Sequence, residues 1–144
     1  MTLDEIFSLW KEDSEIDISN VDHEAVKIPK LHHKYYRLFS NENLSLKKLE
    51  TDYKILFRDK FEYFMGTLDK ETLEQRGWKP NQRNLLKSDI PMNIESDEEI
   101  IKQTLRIALQ KEKIKALESI IKMIIDRGYS LKTIIDWQRF KSGG

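Results

Sequence analysis

The stretch LSLKKLETDYKILFRDKFEYFMG, residues 44–66, decides how this chain folds. Leu46, Leu49, Tyr53 and Leu56 recur at alternating three- and four-residue steps, and Tyr63 lies a further heptad on. Phe57, Phe61 and Phe64 widen the apolar stripe. This spacing predicts an amphipathic helix over 44–65 that supplies the aromatic core, with Gly66 as a left-handed C-cap.

On the N-terminal side, Thr2 and Glu5 form a Thr-x-x-Glu capping box. Leu3, Ile6, Phe7 and Trp10 follow at helical spacing, so a short amphipathic helix is expected over 3–12. Such a helix is marginal alone and must dock on something. Ser19 and Asp22 open a second helix through Val21, Val26, Leu31, Tyr35, Leu38 and Phe39, with a kink or a fresh start near Pro29. Ser40 to Asn43 is expected to be a turn.

On the C-terminal side, residues 67–95 carry two prolines and a glycine and read as largely irregular, with only Glu71–Gln75 briefly helical. Ser96 to Glu99 is a capping signal for a long helix to Arg127. Ile100, Ile107, Ile114 and Ile121 fall at heptad position a, and Gln103, Gln110, Leu117 and Ile124 at d. Gly128 is expected to close this helix and Ser130 to cap a last one carrying Leu131, Ile134, Ile135, Trp137 and Phe140. Apolar residues at 116, 120, 123 and 125 leave more than one face to cover. The fold class is therefore all-α: antiparallel long helices, an N-terminal amphipathic helix, and a C-terminal helical oligomerisation region through Ile114, Leu117, Ile121, Ile124, Ile134 and Trp137. The chain is expected to divide into an N-terminal helical region, 1–95, with an irregular segment over 67–95, and a C-terminal helical oligomerisation region, 96–144.

The 144 residues hold 25 Lys plus Arg against 25 Asp plus Glu, so the net charge is zero. The distribution is uneven. Residues 1–26 sum to −7, 27–87 to +6, 88–99 to −5 and 100–144 to +6. Basic blocks beside acidic ones suit a surface for an acidic partner. There is no cysteine, which removes disulfides, thiolate nucleophiles and Cys-based metal sites. Neither a signal peptide nor a membrane-length apolar run is present, so a cytoplasmic protein with no membrane partner is expected.

The five glycines form no phosphate-cradling loop, and Ser8, Ser88 and Ser119 sit in no nucleophile elbow. His23, Glu24 and His32 could together make a metal site, but the nine-residue step across Pro29 suits one helix face poorly. No enzyme and no cofactor are expected. What remains is a basic stripe, Lys47, Lys54 and Arg58, with Lys60 nearer the apolar seam. Single strands are held by such cations and by aromatic faces on which bases stack. A solvated helix face paired through Glu50 and Glu62, with the aromatics in the core, accounts for the same pattern. Trp78, among Arg76, Lys79 and Arg83, either stacks on a base or anchors its loop. Two other readings stand beside single-strand binding: a helical adaptor without DNA, and a helix-turn-helix regulator of duplex DNA built around Asp126–Tyr129.

The run Ile55 to Gly66, ILFRDKFEYFMG, resembles the L-K-A-R-L-D-Y-Y-x-G signature of the UvsY recombination mediators of T-even phages and their relatives. The ending from Asp126-Arg127-Gly128-Tyr129 through Ile134 to Phe140 is similar to that family's S-R-G-F…I-K-x-I…F. The resemblance implies a non-enzymatic protein of an infected bacterial host that binds single-stranded DNA and contacts the phage recombinase and the phage single-strand-binding protein. It also implies presynaptic filament assembly, in which the recombinase displaces that protein, and a ring-like homo-oligomer of hexamer or heptamer type. The family's two DNA-contacting basic positions fall on Arg58 and Lys60. Arg and Lys exchange places here, and Asp59 stands where the family has Ala.

Overall fold

A computed structural model describes residues 1–81, 83 and 85–143. It contains five α-helices: α1 Leu3–Asp13, α2 Val21–Met65, α3 Lys70–Arg76, α4 Ile90–Glu95 and α5 Glu98–Lys141. Short 3-10 turns at Ile18–Asn20 and Lys87–Asp89 precede α2 and α4, and no strand occurs among the described residues. The chain packs as two compact units, Met1–Leu44 with Gln110–Gly144 and Ser45–Leu109. Both units draw on α2 and α5.

In the first unit, α1 begins with the expected Thr2–Glu5 capping box. Its Ile6 is fully buried with Tyr35 of α2 and Leu117, Ile120 and Ile124 of α5. The docking of α1 is also polar. Arg127 Nη2 donates to the carbonyls of Asp13 at 2.9 Å and Ser14 at 3.0 Å, satisfying groups that the end of a helix leaves open. Asp13 accepts from Lys34 Nζ at 2.6 Å and from the Tyr35 hydroxyl at 2.8 Å. Burial alone would raise the Asp13 carboxyl, but these two hydrogen bonds and the charges of Lys34 and Arg127 outweigh it and hold the group below its ordinary value. Burial first, then donation to Asp13, pushes the Tyr35 hydroxyl well above its ordinary value.

The long helices are antiparallel. Gln110 Nε2 donates to the Glu42 carbonyl at 2.8 Å and to its carboxylate at 2.6 Å, while Tyr35, two turns earlier on α2, meets Leu117 and Ile124 further along α5. The turn expected at Ser40–Asn43 is instead helical, because Glu42 is the residue that α5 grips. Of the kink or fresh start expected near Pro29, the fresh start is absent: α2 runs through it, held by Ile28, Leu31, Leu38 and Phe39 against the core. Neither does Gly128 end α5, nor Ser130 cap a new helix. Arg127 and Leu131, one on each side of Gly128, are both buried, and their burial outweighs the roughly 1 kcal/mol that a glycine costs a helix.

The second unit has its own core of Leu56, Ile90, Ile94 and Ile100, with Tyr53, Phe61, Phe64, Trp78 and Leu85 packed around it. Gln103 Nε2 donates to the Leu49 carbonyl at 2.9 Å, so here too α2 and α5 run in opposite directions. The described residues of segment 67–95 hold more helix than expected. Beyond α3, close to the expected 71–75, they include α4, whose Ile90 and Ile94 are both 1% exposed. Burial of each contributes about 2 kcal/mol, which explains why a segment with turn-forming residues folds back. Gly66 takes the expected left-handed conformation, φ 78°. The cap of α5 is Asp97 rather than Ser96: its Oδ2 accepts from the amides of Glu99 and Ile100.

Because a Cβ at Gly128 would meet no atom within 4 Å, Gly128→Ala should stabilise the protein by about 1 kcal/mol. A higher urea midpoint is expected; a lower one would mean that α5 breaks at this residue in solution.

Candidate nucleic-acid interface

The second half of α2 presents its basic residues in two different environments. Lys47, Lys54 and Arg58 share one stripe and all three are exposed. The Arg58 side chain is 67% exposed, and its contact with Asp59 Oδ1 is loose at 3.5 Å. Lys60 is 5% exposed. Its ammonium lies 3.1 Å from Asp97 Oδ1, 3.6 Å from Glu99 Oε1 and 3.9 Å from the centre of the Trp78 ring. Trp78 in turn donates its Nε1 to Glu99 and packs edge-on against Tyr63, whose hydroxyl donates to the Lys79 carbonyl.

This is a closed cluster. An ammonium that has left water needs opposite charge and hydrogen-bond acceptors on several sides, and two carboxylates and an indole face supply them. Four residues were nominated for DNA contact from the sequence; the structure brings Lys47, Lys54 and Arg58 together and holds Lys60 apart in the cluster. Trp78 anchors its loop, one of its two expected roles. The cluster was only partly visible in the sequence. Lys60 sits nearer the seam than its neighbours, but Asp97 and Glu99 look like ordinary helix-capping acids. Asp97 does both jobs, capping α5 through Oδ2 and pairing with Lys60 through Oδ1.

Asp59, which separates Arg58 from Lys60, is 4% exposed. Its Oδ2 accepts from Arg76 Nε at 3.0 Å and Nη2 at 2.7 Å. Its charge is thus matched by Arg76 and withdrawn from the surface that Arg58 presents.

The six residues nominated for assembly divide likewise. Ile114, Leu117 and Ile124 are buried within their own unit, and Ile121 packs against the same core. Ile134 is half-buried, and Trp137 is 57% exposed and stacked on Phe140, with ring centres 5.6 Å apart. Among the described residues, no three histidines or carboxylates are placed to share a metal ion, and Glu24 pairs with Lys27. No helix of the described residues is long and apolar enough to cross a membrane. With α5 unbroken at 126–129, there is no turn on which a helix-turn-helix could be built.

Solved structures match this all-helical chain along its length. The bacteriophage T4 recombination mediator protein UvsY, in its lattice type II crystal structure, superposes with a TM-score of 0.84 at 19% identity, covering 99% of this chain and 98% of that one. The lattice type IV structure of the same protein gives a TM-score of 0.84 at 18% identity, covering 97% and 99%. At such identity the likeness shows the fold. A family model described as "Recombination, repair and ssDNA binding protein UvsY" matches residues 9–144, and the chain belongs to the UvsY family. No curated protein matches it.

Removing Lys60 would leave Asp97 and Glu99 beside an apolar wall without their cation. Lys60→Ala should therefore destabilise the protein by about 3 kcal/mol, whereas Lys60→Met, which keeps the packing, should lose less. Equal unfolding midpoints for wild type and Lys60→Ala would contradict the cluster.

Proposed function

We propose that this chain is a recombination mediator that binds single-stranded DNA and promotes loading of the phage recombinase onto strand coated by single-strand-binding protein. The observation that carries the reading is the family match over residues 9–144. The exposed stripe of Lys47, Lys54 and Arg58 supports it with a chemistry suited to a phosphate backbone. Arg58 is the carried-over family position that remains available to a strand, and Lys60 acts as a positioning residue for the unit that bears the stripe. In this reading residues 1–95 serve DNA binding and 96–144 serve assembly.

Subunits join into a ring-like homo-oligomer, a hexamer or heptamer, through the C-terminal part of α5. Ile114, Leu117 and Ile124 already fill their own core, so Ile134 and the exposed Trp137 carry the contact, with Phe140 beside them. Repetition of a weak basic stripe around the assembly gives avidity, and a strand held by many weak contacts can be handed on.

Two measurements test the reading. Binding to an oligothymidine should weaken with salt by about 0.7 log units per log unit of salt for each phosphate contacted. Lys54→Ala with Arg58→Ala should lower both affinity and slope, and also the rate of recombinase loading on coated strand; a preference for duplex DNA of defined sequence would contradict the reading. Trp137→Asp should give smaller species in sedimentation, and an unchanged assembly would remove Trp137 from the contact.

A further inference from the structure

The cleft of the second unit lies between the basic half of α2 and the start of α5. About 380 Å³ in volume, it is lined by Asp52 and Ile55 of α2, by Arg76, and by Glu99, Lys102 and Arg106 of α5. A second hollow adjoins it: Ile55 and Arg76 line both, and Arg58 lines the second. Arg58, Arg76, Lys102 and Arg106 thus border one continuous surface path.

The states of these charges differ. Glu99 lines the cleft but is engaged by Lys60 at 3.6 Å and by the Trp78 indole, which offsets part of its charge. Arg76 is oriented by its two hydrogen bonds to Asp59, which leave its Nη1 without an acceptor among the described residues. Lys102 and Arg106 are exposed and form no ion pair among the described residues. They sit one turn apart on the same face of α5, about 6 Å along the axis, so they can meet successive groups of one extended strand. Ile55, 42% exposed, gives the path an apolar floor against which a sugar or base can lie. Asp52 lines the cleft as well, and Asp59, paired with Arg76, lines the adjoining hollow.

We infer that this cleft extends the strand-binding site of α2 onto α5, with Lys102 and Arg106 holding a phosphodiester backbone and Arg58 lining the hollow beside them. The inference rests on the single-strand reading above and adds residues of α5 to a site so far confined to α2.

The full-length chain carrying Lys102→Ala with Arg106→Ala should be compared with wild type for binding a fluorescent oligothymidine at about 50 mM and about 200 mM salt. Because both side chains are exposed, circular dichroism should show an unchanged fold. Affinity at the lower salt should fall about tenfold, with a slope shallower by about 1.4 per subunit, and Lys102→Arg with Arg106→Lys should restore both. Lys122→Ala with Lys132→Ala removes the same charge from the other unit and should change little. If the cleft variant binds like wild type while Lys54→Ala with Arg58→Ala does not, the cleft assignment is wrong and the single-strand reading stands. Equal losses in the Lys122 and Lys132 control would also overturn the assignment, as an effect of net charge. If wild type itself fails to bind the oligothymidine, both fall together.

Discussion

Lys60 carries a charge at a position that water scarcely reaches, and the second unit is organised around what that charge requires. Asp97, Glu99 and the face of Trp78 converge on its ammonium from α5 and from the loop after α3. An unpaired buried ammonium would cost several kcal/mol, so the arrangement is maintained as a whole or lost as a whole. Its consequences reach outward. Asp97 is held where it also caps α5, Trp78 is fixed over the aromatic core, and Glu99 is tied to the Trp78 indole.

Direction along the long helices is set by similar means. Gln103 and Gln110 lie at positions where a helix pair normally places apolar residues, and each donates instead to a carbonyl of α2, one in each unit. A buried amide in such a seam is tolerated only where its donors find acceptors, so each glutamine selects one register within its own unit over sliding alternatives. Leucine at either position would pack as well and specify less.

Much of this was legible in local sequence. The heptad of α5, the aromatic stripe of α2, the Thr2–Glu5 box and the left-handed Gly66 all follow from spacing and from single-residue stereochemistry. The misreadings share a cause. Ser40–Asn43 and Gly128 carry local signals against helix, worth about 1 kcal/mol, and at each place side chains alongside pack against another element. Similarly, Ile90 and Ile94 form a short i,i+4 pair that is hidden among turn formers. The cluster at Lys60 was illegible for a different reason: its members come from positions 60, 78, 97 and 99, and only folding brings them together. At the candidate site, then, sequence identified the exposed stripe and the structure separated Arg58 from Lys60, two residues that a linear motif treats as equivalent.

In the second unit the charges divide unevenly between those engaged in structure and those left in solvent. Asp59, Asp97 and Glu99 are each engaged by a basic partner, while Lys47, Lys54, Arg58, Lys102 and Arg106 remain in solvent. The most direct test is lysine acetylation read by mass spectrometry, with and without a saturating oligothymidine. Lys54 and Lys102 should react readily in the free protein and become protected by the strand, while Lys60 should react slowly in both states. A Lys60 that reacts as fast as Lys54 and is shielded only by DNA would contradict the account.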